Sequence, residues 1–271
     1  MATLSLPGVD LYYEVAGQGL PVVLVHGLAL DTRMWDDQVG PLARFATVIR
    51  YDVRGFGRST PRDGHVPYTH TADLFALLDH LNVDAAVLVG LSMGGGIVTE
   101  AALQSPERIR ALVLLDAFLD GVSWDDQSAQ GMRSIADGLR ENGLPGAKSA
   151  WLAHDFFIPA GRRPEVADRL AQMVDDYSGV HWTEPDPHGP HPGCRPVLDR
   201  IAAPTTVVVG ALDVPCFQEM ANVLAAEIPH ARKIVVPDAG HMVNMEAPDV
   251  VTDILREVVA ASQAGQASQI L

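Results

Sequence analysis

The sequence predicts an α/β protein with a mostly parallel open sheet flanked by helices and an inserted helical cap. Short apolar segments, typical of strands buried on both faces, alternate with helix-like segments over residues 10–116. The alternation stops over residues 117–203 and resumes over 204–261. Because parallel strands need crossover connections, this pattern indicates β–α units with helices on both faces of one sheet.

The first half of the chain, residues 1–116, is predicted to form the first part of the core. The segment from Pro21 to His26 illustrates the strand pattern, since it is short, rich in valine and apolar on both faces. The predicted strands are 10–15, 21–26, 46–52, 85–90 and 109–116, and the predicted helices are 32–43, 70–81 and 93–104.

Residues 117–203 are predicted to form a helical cap inserted between two strands of the core, and not an independent domain. Three tryptophans, Trp124, Trp151 and Trp182, lie in this segment. A stretch rich in proline, histidine and glycine at 182–196 is expected to be irregular. The predicted helices of the cap are 126–142, 146–157 and 163–178.

Residues 204–261 are predicted to complete the core. Their predicted strands are 204–210 and 231–236, and their predicted helices are 216–227 and 248–261. The small and polar residues of 262–271 predict a flexible tail.

The composition favours a small-molecule substrate. The 271-residue chain carries 19 Lys and Arg against 34 Asp and Glu, a formal net charge of -15. Nucleic acids and anionic membranes attract positive charge, so neither is expected as a partner. Apolar residues make up 48% of the chain, which allows a large core. We expect a monomer or homodimer.

Cysteine usage and the N-terminus predict a cytoplasmic protein. Cys194 and Cys216 are too few for a disulfide framework and are expected to stay reduced. The N-terminal residues lack the basic and apolar regions of a signal peptide. The sequence contains no run of about 18 apolar residues, so no membrane span is expected.

Ser92 lies in a G-x-S-x-G motif that runs from Gly90 to Gly94. The motif follows a predicted strand and opens a predicted helix, which is the context of a nucleophilic serine on a tight turn. Such a turn exposes the hydroxyl at the carboxyl edge of the sheet, close to the positive end of the helix. The alternative is that Ser92 serves only as a helix-capping residue.

A base and an orienting acid are expected on later loops of the same edge, in the chain order Ser, Asp, His. Asp213 follows the strand that ends at Gly210, and His241 follows the strand that ends at Val236. We therefore predict His241 as the base and Asp213 as the acid. Asp116, which also ends a strand at this edge, remains the alternative acid.

The oxyanion of a tetrahedral intermediate needs two N–H donors, and the backbone amides of Leu28 and Met93 are predicted to supply them. Gly27 allows the first loop to turn sharply. His26 is expected to be a hydrogen-bonded residue of the pocket, without an acid–base role. The predicted pocket residues are His26, Trp35, Phe118, Trp124, Trp151, Phe157, Trp182 and Met242.

Two further motifs are predicted to be structural. The glycines between Asp52 and Ser59 predict a tight loop that Arg54 holds in place. Histidines and a cysteine also cluster in the proline-rich part of the cap, but their spacing matches no zinc pattern, so no metal site is predicted. These residues are His181, His188, His191 and Cys194.

Five ordered motifs resemble those of the α/β-hydrolase superfamily. They are His26-Gly27, Asp52 to Ser59, the Ser92 motif, Gly210 to Asp213 and Gly240-His241. The stretch from Tyr12 to Phe118 is most similar to 3-oxoadipate enol-lactonase-type carboxylic-ester hydrolases. The segment from Ser92 to Gly96 also resembles cofactor-free perhydrolases and C–C bond hydrolases. The resemblance implies the α/β-hydrolase fold and serine esterase or lactonase activity without a metal or organic cofactor.

Cleavage of a small-molecule carboxylic ester or lactone is thus the primary expectation. C–C bond hydrolysis and perhydrolysis on the same triad remain open, as does a ligand receptor with slow turnover. A Rossmann oxidoreductase is disfavoured because no G-x-G-x-x-G motif follows the first buried strand.

Overall fold

The fold is built on one mixed sheet, seen in a computed structural model that describes residues 2–59, 65–189 and 193–269. The strands are β1 (Ala2–Leu6), β2 (Val9–Ala16), β3 (Leu20–Val25), β4 (Ala46–Tyr51), β5 (Ala86–Leu91), β6 (Ile109–Leu115), β7 (Thr205–Gly210) and β8 (Arg232–Val236). They lie in the order β1-β2-β4-β3-β5-β6-β7-β8.

Helices connect these strands. The α-helices are α1 (Asp36–Leu42), α2 (His70–His80), α3 (Met93–Gln104), α4 (Asp126–Leu152), α5 (Ile158–Gly161), α6 (Pro164–Asp176), α7 (Val180–Thr183), α8 (Pro215–Glu227), α9 (Val243–Glu246) and α10 (Pro248–Gln269). Short 3-10 helices cover Thr32–Trp35, Pro106–Arg108, Asp155–Phe157 and Arg195–Arg200.

The sheet is parallel from β4 to β8 in this order, whereas β2 pairs antiparallel with both β1 and β4. The prediction of a mostly parallel open sheet flanked by helices is confirmed. Strand β1 was not predicted, because this edge strand alternates half-buried and exposed residues and has no apolar run.

The central strands are continuous apolar runs because both of their faces are covered. Every residue of β5 and of β7 is buried. On this sheet α3 packs against β3, β5 and β6, and α8 packs against β7 and β8. Since parallel strands end at the same edge, the loops that follow β3, β5, β6, β7 and β8 converge there.

Residues 117–203, which we call the inserted segment, form helices and irregular stretches between β6 and β7. The helices predicted at 126–142 and 146–157 are joined as α4, with a break at Gly143, where φ is 65°. The second of them ends earlier than predicted, at Leu152, because the chain turns into the 3-10 helix Asp155–Phe157 and α5. Of the proline-rich stretch, residues 190–192, and with them His191, lie outside the described residues.

The last helix is longer than predicted. It was expected over 248–261, but α10 continues to Gln269, while the flexibility expected for 262–271 stays a prediction. Alanine, present at 264 and 267, favours helix once the preceding turns are anchored, which is consistent with the longer helix. Within the described ranges, no helix combines the length and the apolar character that crossing a membrane requires.

The loop after β4 is held as predicted. Arg54 forms a buried bidentate ion pair with Asp73 of α2, with both N–O distances at 2.7 Å. Asp52 accepts hydrogen bonds from the backbone of Thr32 and of Arg58, each at 2.8 Å. Because each group is paired within the fold, a structural role accounts for the motif.

Candidate active site

Ser92 lies on the tight turn between β5 and α3, with backbone angles that few residues other than glycine adopt. Its φ is 53° and its ψ is −118°. The Ser92 N–H donates to the Leu115 carbonyl, and the Phe118 N–H donates to the Ser92 carbonyl, both at 3.0 Å. None of the described amides of α3 donates a capping hydrogen bond to the Ser92 hydroxyl, which contradicts the helix-capping alternative.

A close approach between α3 and β3 brings two backbone amides near this turn. A Cβ atom added at Gly94 would overlap the carbonyl oxygens of Val25 and His26, so only glycine permits this packing. Met93 is the first residue of α3, where the N–H has no acceptor within the helix. The Leu28 amide donates to no residue of the described chain. Both amides are therefore available to a ligand.

A polar contact joins the loops that follow β7 and β8. His241 Nδ1 lies 2.9 Å from Asp213 Oδ2, and both side chains are buried. The other carboxylate oxygen of Asp213 accepts a hydrogen bond from the Val214 N–H at 2.7 Å. This arrangement favours a proton on Nδ1 of His241 and leaves Nε2 as the acceptor atom.

Gly210 allows these two loops to meet. A Cβ atom at this position would overlap the carbonyl oxygens of Ala239 and Gly240. The Leu212 N–H also donates to the Ala239 carbonyl at 2.8 Å. Direct contact between the two backbones thus holds Asp213 opposite His241.

Asp116 is a second carboxyl group at this edge, but it does not bond to His241. Its Oδ1 accepts a hydrogen bond from the Gly210 N–H at 2.8 Å, and its buried Oδ2 has no hydrogen-bond partner among the described residues. Burial and the negative charge of Asp213 raise the pKa of Asp116 well above its usual value. The structure therefore pairs His241 with Asp213 and not with the alternative acid.

Asp116, Asp213 and His241 also form the one group of three potential metal ligands found among the described residues, with ligand atoms within 4.8 Å of one another. The bond between Asp213 and His241 already engages two of these atoms. In the described part of the inserted segment, His181, His188 and Cys194 form no such group.

Glu246 stabilises the loop that carries His241. Its carboxylate accepts hydrogen bonds from the Gly240 and Met242 amides, each at 3.1 Å, on either side of His241. Arg163, between α5 and α6, donates to the same carboxylate at 3.0 Å. Burial raises the pKa of Glu246, although these donors oppose the shift. The inserted segment is thereby ion-paired to the loop.

Aromatic rings cover His241 on two sides. Phe156 stacks on the imidazole with ring centroids 4.6 Å apart, and Phe217 meets it edge-on at 4.3 Å. Among the described residues, the Ser92 hydroxyl and His241 form no hydrogen bond with each other. The imidazole is thus held by Asp213 and by ring packing.

A cavity of about 290 Å³ lies beside Ser92. Its wall is mostly aromatic and aliphatic, with few polar side chains. The lining residues that the sequence predicted are Leu28, Ser92, Met93, Phe118, Trp124 and Trp151. The lining residues that were not predicted are His70, Gly96, Ile97, Glu100, Met132, Phe156, His188 and Phe217.

Comparison with known proteins identifies the family. A family model described as the alpha/beta hydrolase fold matches residues 21–248. The chain belongs to the α/β-hydrolase family.

Relatives of this α/β-hydrolase include a lactonase and a haloperoxidase. It is 29% identical to 3-oxoadipate enol-lactonase 2 of Acinetobacter baylyi over 266 residues, which cover 95% of this chain and 96% of that protein. It is 34% identical to a non-heme chloroperoxidase of Kitasatospora aureofaciens over 156 residues, 55% of this chain and 57% of that protein. The enol-lactonase structure from Burkholderia xenovorans superposes with a TM-score of 0.79 at 26% identity, over 96% of this chain and 100% of that chain.

Two residues predicted for the pocket of this α/β-hydrolase lie in its core instead. His26 is fully buried and accepts the Val53 N–H at Nε2, while its Nδ1 lies 2.8 Å from the Gly27 carbonyl. Burial lowers the pKa of His26, so it is a neutral, hydrogen-bonded loop residue. Trp35 is fully buried as well. Neither lines the cavity, because each is packed within the core.

Three other predicted pocket residues also lie outside the cavity wall. Phe157 and Trp182 each meet the Trp151 ring edge-on, with centroids 5.2 and 6.4 Å away. Met242 is buried next to Glu246. None of the three is among the lining residues, and Trp151 and Phe156 of the same aromatic cluster line the cavity in place of Phe157 and Trp182.

Some of the lining residues that were not predicted could have been found from their helical spacing. Gly96, Ile97 and Glu100 follow Met93 at intervals of three, four and seven residues, so they share its face of α3. Placing Met93 at the site therefore implied them. For Phe156, Phe217, His70 and His188, no local pattern distinguished the cavity wall from the core.

Proposed function

We propose that this α/β-hydrolase is a serine-dependent hydrolase that cleaves a small-molecule carboxylic ester or lactone through an acyl-enzyme. The observation that carries the proposal is the 2.9 Å contact between His241 and Asp213 at the sheet edge where Ser92 occupies its strained turn. The order Ser92, Asp213, His241 along the chain is the order expected for a triad on this fold.

The reaction assigns one step to each group. The Ser92 oxygen attacks the carbonyl carbon while Nε2 of His241 takes its proton, and Asp213 stabilises the imidazolium. The Leu28 and Met93 amides hold the oxyanion. The leaving alcohol receives the proton from His241, and water then attacks the acyl-enzyme to release the acid. The contact between Ser92 and His241 forms when substrate binds, since catalytic hydrogen bonds often tighten in the substrate complex.

The cavity supports a small substrate with an apolar or aromatic part. Its volume is about 290 Å³, and rings from Phe118, Trp124 and Phe156 line it. Apolar walls with a few placed polar groups are typical of small-molecule sites. In this proposal the inserted segment acts as the cap, because it contributes most of the aromatic wall.

The test is hydrolysis of p-nitrophenyl butyrate by wild type and by Ser92→Ala. We expect kcat of the variant to fall by roughly 10,000-fold or more. Ser149→Ala, an exposed serine of α4, is the matched control and retains activity. Labelling with a fluorophosphonate modifies wild type and not Ser92→Ala. Wild-type rates in Ser92→Ala would overturn the proposal.

Perhydrolysis is a second candidate, favoured by the similarity to a chloroperoxidase. Here hydrogen peroxide replaces water as the nucleophile that attacks the acyl-enzyme, which yields a peracid and free Ser92. Peracid production from p-nitrophenyl butyrate, measured with and without peroxide, separates the two. Hydrolysis with no peracid at millimolar peroxide would reject this candidate.

A further inference from the structure

Two histidines from distant parts of the chain meet at the wall of the cavity. His70 begins α2, His188 lies in the inserted segment, and their ring centroids are 4.7 Å apart. Both line the cavity together with Ser92. They stand out because the rest of the wall is mostly apolar.

Tyr68 holds the two segments together. Its backbone pairs with His188 in an isolated bridge, and its carbonyl accepts the Gly189 N–H at 2.7 Å. Its ring lies edge-on to both imidazoles at 5.2 Å. The Arg54 guanidinium sits 4.5 Å from the centroid of this ring and is itself ion-paired to Asp73. The histidine pair is therefore held in place by contacts to Tyr68 from both segments.

Each histidine has one buried nitrogen without a partner. Among the described residues, nothing forms a hydrogen bond with Nδ1 of His70 or with Nε2 of His188. Buried polar atoms in folded proteins almost always have a partner. Both side chains line the cavity, so a group of a bound ligand is the partner that remains, and it reaches these nitrogens once the rings turn towards it.

The chemistry of the site favours a neutral ligand group. Burial, assisted by the neighbouring histidines and by Arg54, holds the pKa of His70 well below its usual value. A neutral imidazole offers one N–H donor and one acceptor nitrogen, which matches a hydroxyl group. Glu100, buried on the same wall, places a carboxylate there and opposes an anionic ligand.

We propose that His70 and His188 form a polar subsite that binds a hydroxyl group of the substrate. The preferred substrate is then an apolar or aromatic ester that carries one neutral hydroxyl away from the carbonyl. This inference rests on the proposed function for the reaction, but the binding preference itself can be measured without turnover.

The experiment measures binding to the Ser92→Ala protein by isothermal titration calorimetry. The probes are methyl hydrocinnamate and phenethyl acetate, which extend from the acyl and the alcohol side of the ester. Each is compared with its meta- and para-hydroxy counterparts and with its para-carboxy counterpart. In at least one series we expect a hydroxy ester to bind about 10-fold more tightly than the parent, from two added hydrogen bonds. The carboxy ester binds more weakly than the hydroxy ester.

Variants assign the preference to the two rings. In His70→Phe and His188→Phe the preference falls to about twofold or less, because the ring shape remains and the nitrogen is lost. His70→Asn and His188→Gln keep a polar atom close to Nδ1 and Nε2 respectively, and restore part of it. His80→Phe, the same change at an exposed histidine on α2, retains the full preference. Melting temperatures identify any variant that is misfolded.

Three outcomes overturn the subsite. They are equal affinity for parent and hydroxy esters in both series, tightest binding of a carboxy ester, or an undiminished preference in the folded His70→Phe/His188→Phe double variant. Failure of the proposed function is distinct, since wild type would then hydrolyse none of these esters while the binding preference in Ser92→Ala persisted.

Discussion

The sheet edge and the inserted segment contribute to the same cavity in different ways. At the edge, backbone geometry positions the groups, as in the strained turn at Ser92 and the contact of Gly210 with the loop after β8. In the inserted segment, side-chain packing does so, as in the rings around Trp151. We therefore expect substitutions at the edge to disrupt the site, and substitutions in the wall of the inserted segment to change which ligands the cavity binds.

The two regions are joined at the loop that carries His241. Arg163 of the inserted segment pairs with Glu246, and Phe156 stacks on the imidazole. Displacement of the inserted segment would thus shift the position of His241 directly. This difference between the two regions can be tested with substitutions first at the edge, then at the link between the regions, and finally at the second carboxyl group.

The largest effect is expected for Asp213→Asn, which should lower kcat on p-nitrophenyl butyrate by roughly 10,000-fold. An amide in place of the carboxylate favours the His241 tautomer with its proton on Nε2, which cannot accept the Ser92 proton. Asp120→Asn, at a carboxylate that accepts the Cys194 N–H outside the cavity, is the control. A decrease of less than about tenfold in Asp213→Asn would show that this acid does not orient the base.

Gly210→Ala should lower kcat by roughly 100-fold, because the added methyl group pushes the loop of His241 away from Asp213. Gly40→Ala is the matched control, since a Cβ there meets no atom within 4 Å. Because Gly40 lies in α1, its replacement by alanine should stabilise the protein by about 0.5–1 kcal/mol. Steady-state kinetics and thermal melting measure both variants, and equal turnover in the two would contradict positioning by the backbone.

Arg163→Met should lower kcat by roughly tenfold, because Glu246 loses its ion pair and the His241 loop loses its link to the inserted segment. The exposed Arg162→Met is the neighbouring control. Unchanged kcat in Arg163→Met with an unchanged melting temperature would mean that the two regions are not coupled at this point.

Asp116→Asn should have the smallest effect, with kcat within about threefold of wild type, because an amide still accepts the Gly210 N–H. Since the pKa of Asp116 is raised in the folded protein, its contribution to stability is full below about pH 3.9 and is lost as pH rises through the folded-state pKa. An asparagine at position 116 does not ionise, so the variant does not lose this stability as pH rises. Its melting temperature should therefore increase relative to wild type between about pH 4 and pH 8. A constant difference would contradict a raised pKa.

The sequence predicted the edge of the sheet far better than the cavity wall. Ser92, Asp213 and His241 each follow a predicted strand, and parallel strands end at one edge, so their placement at this edge followed from local patterns. The same rule could not separate Asp213 from Asp116, because both satisfy it. Only the bond from Asp213 to His241 distinguishes them.

In the inserted segment, an aromatic residue has the same sequence signature whether it lines the cavity or lies behind the wall. Trp151 and Trp182 belong to one cluster, yet only Trp151 reaches the cavity. His70 and His188 are 118 residues apart, and the sequence around neither of them predicts contact with the other.

By itself the sequence determined the family, most of the order of strands and helices along the chain, and the turn at Ser92, because these depend on periodicity and glycine spacing over a few residues. Tertiary structure decided which carboxylate holds His241, which rings line the cavity and where its two histidines meet. Those outcomes depend on contacts between segments that only the packed fold brings together, so no local pattern encodes them.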